Sequence, residues 1–248
     1  MARKCWIMFC LSLLATACLL PGVSCRKQPQ TNARDSNQPQ KETGSIEPAK
    51  LVQLAFELPK YVFITTPQSF HIENLEPLSN KDREPFYAPL GTKIISLGKP
   101  VTSVPDTKPI IGDLSMITDG DKEAAEGSYV ELGLNLQSIT IDLQGEFEIY
   151  AILIWHYHRM PYVYYDVIVQ VANDSNFISN VRTLFNNDID NSAGLGTGTD
   201  KHYVENNRGK LIDAKGSHGR YVRLYSQGNN NNELNHYIEV EVWGKPVK

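Results

Sequence analysis

The chain has 248 residues, with 24 basic and 28 acidic side chains and a formal net charge of −4 at pH 7. It has no basic cluster longer than the pair Arg26 and Lys27. This argues against nucleic acid as a partner, because such binding depends on many Lys and Arg contacts to phosphate. All four cysteines lie within the first 25 residues, so the folded part must be held together by its core rather than by disulfides.

The N-terminus has the layout of a secretory signal peptide. Arg3 and Lys4 precede an apolar run over residues 5 to 20, which is too short to span a bilayer with margin. We therefore predict a signal peptide over residues 1 to 25 and an exported protein. Later segments do not approach ~18 unbroken apolar residues, so we expect no transmembrane helix in the mature chain.

Cys25 lies where a bacterial lipoprotein carries its acylated cysteine. It ends the phrase LLPGVSC and precedes a polar tract, although Gly22 stands where a leucine is usual. A rival cleavage site uses small residues just before Cys18. Both outcomes stay open: a protein anchored to the cell envelope by lipid on Cys25, or a secreted one. Such an anchor would be its one contact with a membrane.

Residues 26 to 50 are rich in Gln, Asn, Ser, Lys, Glu and Pro and contain almost no large apolar side chain. Such a composition cannot bury enough surface to offset the entropy of ordering, so we predict a disordered polar tether. At ~5–6 Å × √n its reach is on the order of 25–30 Å.

Residues 51 to 90 begin with the apolar, β-prone phrase LVQLAFELPKYVFI and continue with several prolines. A segment of this length is marginal for an independent core without metal or disulfides. We therefore predict an N-terminal extension that packs on the next domain. The phrase AILIWHY at residues 151 to 157 is apolar on both faces of a strand and needs cover on both sides, which this extension could provide.

The rest of the chain has the alternation of antiparallel β-strands. Apolar residues recur at every second position in residues 139 to 143, 163 to 172 and 237 to 243. Residues 186 to 209 are too polar and glycine-rich for a strand pair and are interpreted as a long loop. We predict an all-β fold, an antiparallel sandwich without a helix of ordinary length.

Five phrases in order carry a family resemblance. They are GTKIISLGKPVTSVPDTKPIIGDLSMITDGDKEA, SITIDLQG, YDVIVQVANDSNF, GRYVRLYS and IEVEVWG. Residues 91 to 244 resemble the discoidin or coagulation factor 5/8 type C domain, and residues 245 to 248 form a tail. The resemblance implies a β-sandwich of jelly-roll, galactose-binding-like type. The same sandwich serves sugar-binding, lipid-binding and adhesion modules, so the resemblance specifies the fold better than the ligand.

The resemblance also implies a structural calcium ion that joins the DGD loop to the last strand. The matching residues are Asp119, Asp121 and Glu239, and carboxylates are hard oxygen ligands that Ca²⁺ prefers. The family's threonine and tryptophan after DGD are replaced by KEAAEGSYVEL, so a hydroxyl ligand stays open, with Ser128 as a guess. The alternative is an ordinary turn beside a solvated Glu239.

A phrase rich in aromatic residues, WHYHRMPYVYY at residues 155 to 165, is the candidate ligand site. Aromatic faces stack on sugar rings, while Arg and His fix hydroxyl groups. The resemblance implies that Arg159 contacts ligand, and the asparagine-rich loop at residues 227 to 236 lies near the same end. The predicted ligand-binding residues are His158, Arg159, Tyr162, Asn230 and Asn231. Trp155, Tyr157 and Tyr165 are expected in the core.

Catalysis is not indicated. His156 and His158 form an H-x-H pair on what we take to be a strand face, yet a third zinc ligand is not evident, and there is no G-x-S-x-G phrase. We predict a non-catalytic exported module that binds a glycan or glycoconjugate and holds structural calcium. The alternatives are a cell-surface adhesion or protein-interaction module with a protein partner, and a glycan-processing enzyme.

Overall fold

A computed structural model describes residues 50 to 60, 71 to 79 and 81 to 247. The predicted signal peptide, the tether before Lys50, the lipidation site at Cys25 and residues 61 to 70 of the extension lie outside this part. None of the helices in the described ranges has the length and apolar character needed to cross a membrane.

The described residues form eleven β-strands and one short 3-10 helix, Leu114–Thr118. The strands are β1 (Leu51–Gln53), β2 (Tyr87–Pro89), β3 (Lys93–Ile94), β4 (Val101–Val104), β5 (Val130–Leu132), β6 (Gln137–Trp155), β7 (Ile168–Ala172), β8 (Arg182–Asn186), β9 (Lys210–Ser226), β10 (Asn235–Tyr237) and β11 (Glu239–Pro246).

The main sheet has the strand order β3-β11-β6-β9-β7-β8, with β4 also paired to β6, and its pairs are antiparallel. The first half of β6 pairs with β4 and the second half of β9, whereas its second half pairs with β11 and the first half of β9. The β6–β9 register breaks between Asp142 and Phe147. Both long strands therefore belong to both layers. The predicted all-β fold, an antiparallel sandwich, is confirmed.

The core lies between the two layers and follows from the period-two alternation. In β6, Ile139, Ile141 and Leu143 are fully buried. They share this core with aliphatic side chains from the second half of β6 and from β7, β9 and β11, namely Ile152, Ile154, Val169, Val171, Val222, Leu224, Val240 and Val242. Each such side chain contributes roughly 1.5–3 kcal/mol when it is fully buried, so the core alone is a sufficient source of stability.

The extension covers the outer face of the second half of β6. β1 pairs antiparallel with β2, and Leu54 and Ala88 pack against Ala151. The rings of Phe56 and Trp243 meet edge to face, with centroids 5.3 Å apart. Both faces of this half of β6 are thereby shielded from water, as a strand that is apolar on both faces requires.

Three loops meet at the end of the sandwich where β6 ends and β11 begins. Trp155 pairs with Glu239 there. The loop after β6, residues 156 to 167, makes backbone hydrogen bonds to residues 228 to 230 and to Glu205. This end of the sandwich is where the predicted ligand-binding residues lie.

Candidate ligand-binding site

The two histidines of the H-x-H pair lie beyond the strand, because β6 ends at Trp155. His156 is fully buried, and its Nδ1 lies 2.7 Å from the Glu205 Oε1. The His158 Nε2 lies 2.9 Å from the carbonyl oxygen of Lys122. The interpretation of these residues as a pair on one strand face is wrong, since each imidazole binds its own protein partner.

Three half-exposed tyrosines form an aromatic surface at this end, which we call the tyrosine cluster: Tyr129, Tyr157 and Tyr162. The Tyr129 and Tyr157 ring centroids are 4.9 Å apart, and those of Tyr157 and Tyr162 are 6.1 Å apart. All three surround the buried imidazole of His236, at 5.9, 6.0 and 6.3 Å. The cluster therefore presents ring surface to solvent above a polar floor.

The expectation of core positions for three aromatic residues is met by one of them. Trp155 is fully buried, and its indole N–H donates to the carbonyl of Asn207. Tyr157 and Tyr165 are only half-buried. The reason for Tyr157 is that it follows the end of the strand, so the alternation of β6 no longer fixes its direction.

The floor of the tyrosine cluster is a chain of hydrogen bonds. The Tyr164 hydroxyl lies 2.8 Å from the His236 Nδ1, and the His236 Nε2 lies 3.1 Å from the Glu131 Oε2. Burial, followed by the nearby His156, lowers the pKa of His236 to about 4, and burial raises the pKa of Tyr164 well above its usual value. The Tyr164 hydroxyl therefore donates to a neutral His236, which in turn donates to the Glu131 carboxylate.

The pairing of short strands creates this arrangement. β10 pairs with β5, which sets His236 opposite Glu131 although 105 residues separate them. The Glu131 side chain is 13% exposed, and burial raises the pKa of its carboxyl group. Sequence reasoning missed Tyr129, Glu131 and His236. The alternation of Val130 and Leu132 around Glu131 was the available signal, and it is too short to indicate a strand by itself.

The two predicted asparagines have different environments. The Asn230 Oδ1 accepts a hydrogen bond from the Val163 N–H at 2.9 Å, so this side chain joins two loops. Asn231 is exposed, and its Nδ2 donates to the Tyr162 hydroxyl at 3.3 Å. Asn231 thus lies at the rim of the tyrosine cluster, whereas Asn230 is occupied by the backbone.

His158 and Arg159 line a cavity of about 210 Å³ with Lys60, Glu123, Ala124 and Ala125. His158 is only 3% exposed, and its Nδ1 is buried without a hydrogen-bond partner. Arg159 is half-buried, and its Nε is also buried and without a partner. The sequence predicted a mostly exposed loop arginine; the structure encloses it because Lys60 of the extension and the DGD loop approach from the sides.

Glu239 of β11 contacts the DGD loop at Gly120. Glu239 is 1% exposed, and its Oε2 accepts a hydrogen bond from the Gly120 N–H at 3.1 Å. The Asp119 Oδ1 accepts one from the Asp121 N–H at 2.8 Å. Asp121 is exposed, and its Oδ1 accepts a hydrogen bond from the backbone of the same loop.

The electrostatic surroundings of Glu239 are unfavourable for a buried carboxylate. Burial, together with the nearby charges of Asp119 and Glu241, raises the pKa of Glu239 to about 8, although the Gly120 hydrogen bond opposes the shift. The Lys122 ammonium is 2.6 Å from the Glu241 Oε1 and thus neutralises that neighbour. A cation beside Asp119 and Glu239 would relieve the repulsion.

A group of three converging carboxylates lies outside the DGD loop. Among the described residues, the side-chain oxygens of Asp166, Asp188 and Asp190 lie within 4.8 Å of one another. The Ser192 hydroxyl donates to Asp166 at 2.7 Å, and the Ser192 N–H donates to Asp188 and Asp190. These hydrogen bonds explain why the three carboxylates lie together, and we interpret the segment as a polar turn.

No protein-family profile and no curated protein matches the chain. Among solved structures, it is similar to a family 89 glycoside hydrolase from Clostridium perfringens, with 19% identity and a TM-score of 0.46 over 62% of this chain and 15% of that chain. It is also similar to a chitosan-binding module from a Paenibacillus sp. IK-5 chitosanase/glucanase (18% identity, TM-score 0.42, 61% and 99% covered). A third is a fucose-binding module of Streptococcus pneumoniae (16%, 0.41, 60% and 96%). The chain thus spans about 15% of the length of the hydrolase.

Proposed function

We propose that the protein is a non-catalytic module that binds glycans through the loops at the β6 end of the sandwich. The observation that supports this best is the tyrosine cluster above the His236–Glu131 pair. Aromatic rings pack on the C–H face of a pyranose, and a fixed carboxylate accepts hydrogen bonds from sugar hydroxyls. A preformed combination of the two is the chemistry of a sugar site.

The other predicted residues add polar groups beside this surface. Because a carbonyl oxygen can only accept, the His158 Nε2 donates to the Lys122 carbonyl, while the buried Nδ1 is without a hydrogen-bond partner. The Arg159 Nε–H is a donor, and Asn231 offers an amide at the rim. Donor and acceptor together suit a hydroxyl group. Asn230 then serves by holding the loop rather than by touching the ligand.

The alternative of a glycan-processing enzyme is less well supported by these contacts. A general base needs a nitrogen or carboxylate within reach of the substrate. Both ring nitrogens of His236 are occupied by protein groups, and His156 is fully buried. The histidines below the tyrosine cluster are therefore arranged for positioning.

We propose that a structural calcium ion joins the DGD loop to β11. Asp119 and Glu239 supply hard oxygens at a place where a buried carboxylate has acidic neighbours. Asp121 would contribute through the oxygen that does not bind its own turn. When bound, the ion would neutralise Glu239 and fix the loop that forms one wall of the His158–Arg159 cavity.

Export, and lipidation of Cys25, remain part of the proposal from the sequence. The mature protein would then be anchored at the cell envelope, or secreted if cleavage precedes Cys18 instead.

A glycan array probed with the purified protein, in calcium and in chelator, tests the proposed function. We expect Tyr157→Ala to weaken binding of any array hit by about tenfold or more, since the lost ring contact is worth on the order of 1.5 kcal/mol. Tyr221→Ala is the matched control, because Tyr221 is a half-exposed tyrosine on β9. An array without hits in either condition, or equal effects of the two substitutions, would contradict the proposal.

A further inference from the structure

We infer that the ligand is an acidic saccharide whose carboxylate or sulfate group enters the cavity beside Arg159. This inference rests on the proposed function and specifies the ligand class of the same site. The starting point is the guanidinium of Arg159, which has no ion-pair partner among the described residues.

Arg159 differs from the other half-buried arginines of the described residues. Arg83 donates to the carbonyls of Arg208 and Gly209, and Arg223 donates to the Thr140 hydroxyl and to a carbonyl. Arg208 donates to two carbonyls of the extension. Arg159 has no hydrogen bond and no ion pair within the described ranges, and its Nε is buried.

A buried donor without an acceptor is costly, and the cost is larger for a charged group. The guanidinium presents parallel N–H groups that match a carboxylate or sulfate in two-point geometry. An anionic substituent in the cavity would supply the missing acceptor. Its binding would therefore remove an existing penalty as well as add a contact.

A second cation lines the same cavity and comes from outside the family-like domain. Lys60 belongs to the extension, and its ammonium has no ion-pair partner in the described part of the chain. The one acid in the lining is Glu123, and its Oε1 accepts a hydrogen bond from the Lys60 backbone N–H. Two cations against one carboxylate leave the wall with a net positive charge, which attracts an anion.

The His158 Nδ1 narrows the ligand to a sugar rather than a bare anion. This nitrogen is buried without a hydrogen-bond partner, and a sugar hydroxyl beside the anionic group would supply one. A saccharide with an anionic group and a neighbouring hydroxyl would therefore satisfy both Arg159 and His158. Ala124 of the cavity also packs in the same side-chain cluster as Tyr129 and Tyr157, so a sugar ring that leaves the cavity meets an aromatic surface.

The test compares glycans that differ only in charge. Oligomers of galacturonate, glucuronate and mannuronate are titrated against their neutral methyl esters, and a sulfated galactan oligomer against its desulfated form, by calorimetry at a fixed free calcium concentration. We expect the acidic member of at least one pair to bind about tenfold more tightly than its neutral partner. Preference within the uronate pairs or within the sulfate pair identifies the anionic group.

Substitutions of the cavity residues test whether the preference for acidic glycans arises in the cavity. Arg159→Gln should reduce the acid-to-neutral ratio to about twofold or less, and Lys60→Gln should reduce it severalfold. Arg182→Gln, which alters an exposed arginine of β8, should leave the ratio unchanged. Arg159→Gln should keep the melting temperature of the parent, because it removes a partly buried cation without a described partner.

Equal binding of acidic and neutral members in every pair would overturn the inference, as would an acid preference that survives Arg159→Gln. A large loss of stability in Arg159→Gln, with the ratio unaffected by Lys60→Gln, would show that the arginine is structural and would also overturn it. Binding of neutral glycans that depends on Tyr157 but not on Arg159 would leave the proposed function standing alone. Absence of binding to glycans of every class overturns both.

Discussion

Glu131 connects the buried core to the surface of the proposed site. Its carboxylate is held by His236, which is itself fixed by the Tyr164 hydroxyl from inside the sandwich. A neutral imidazole with one donor and one acceptor can satisfy both contacts in a single tautomer only. The direction of the carboxylate is thus set by buried groups before any ligand arrives.

We predict that Glu131→Gln weakens glycan binding by about tenfold and leaves stability nearly unchanged. The amide oxygen can still accept the His236 hydrogen bond, but the charged acceptor for sugar hydroxyls is lost, and such contacts are worth on the order of 1.5–3 kcal/mol. Calorimetric titration with an array-identified glycan measures the effect. Glu146→Gln, at an exposed position of β6, is the control, and an equal loss in both variants would count against a direct role for Glu131.

A second prediction at the residue scale concerns the buried pair formed by His156 and Glu205. His156 and Glu205 are 2.7 Å apart with side chains 0% exposed, and the His156 ring stacks on Tyr164 at 4.4 Å. Removal of one member leaves the other without its partner in the core, which typically costs about 3–5 kcal/mol. We expect Glu205→Leu to lower the free energy of unfolding in urea by roughly that amount.

The double variant His156→Phe with Glu205→Leu provides the matched comparison. Replacement of a buried pair by apolar groups is often close to neutral, so the double variant should be more stable than Glu205→Leu alone. Additive losses would mean that each residue acts through separate packing contacts.

At the scale of elements, alternation was enough to predict the fold but not the site. Strands such as β6, β7 and β11 place an apolar residue at every second position in the core between the layers, so the sandwich could be predicted from alternation. β5 and β10 have three residues each, and their register depends on loops that alternation does not describe. The meeting of Glu131 and His236 was therefore not readable from the sequence.

The loop after β6 also shows what the sequence could and could not predict. The phrase rich in aromatic residues forms a loop at the end where the loops converge, and His158, Arg159 and Tyr162 all lie there. Their individual roles depend on where the strand stops. Because β6 ends at Trp155, Tyr157 turns toward solvent instead of continuing the core face.

The junction of the DGD loop with β11 carries the next prediction, on pH and calcium. The pKa of Glu239 is raised from 4.5 to about 8 in the folded protein. Between these values the folded state binds more protons than the unfolded state, so without calcium the free energy of unfolding should fall as pH rises from about 4.5 to about 8. Calcium needs the ionised carboxylate, so its stabilising effect should grow over the same range.

Urea unfolding at pH 5, 6.5 and 8, in chelator and in calcium at constant ionic strength, measures both slopes. A hundredfold excess of calcium over its Kd should add about 2.7 kcal/mol at the upper end. Glu239→Gln should remove most of the pH dependence in chelator and the response to calcium. Coincident curves in calcium and chelator at pH 8 would contradict the calcium proposal.

At the scale of the whole molecule, the described part of the extension connects two regions of the sandwich. The Lys50 carbonyl binds Leu90, near the β3–β11 pair at Gly244, whereas Lys60 lines the cavity beside Arg159. The described part of the extension therefore runs along the outer face of β6 toward the ligand-binding end.

The last prediction is that the mature protein begins at Cys25 and carries lipid there. An apolar run followed by a cysteine and a long polar tract is the arrangement that places acyl chains in a membrane, and a cysteine that carries several chains is a stable anchor where one chain binds only weakly. Mass spectrometry of the native N-terminus should show a lipidated Cys25, and Cys25→Ala should move the protein from the membrane fraction to the soluble fraction. Cys18→Ala is the control and should remain anchored. An unmodified N-terminus at Cys18 would contradict the lipoprotein prediction and would indicate that the protein is released.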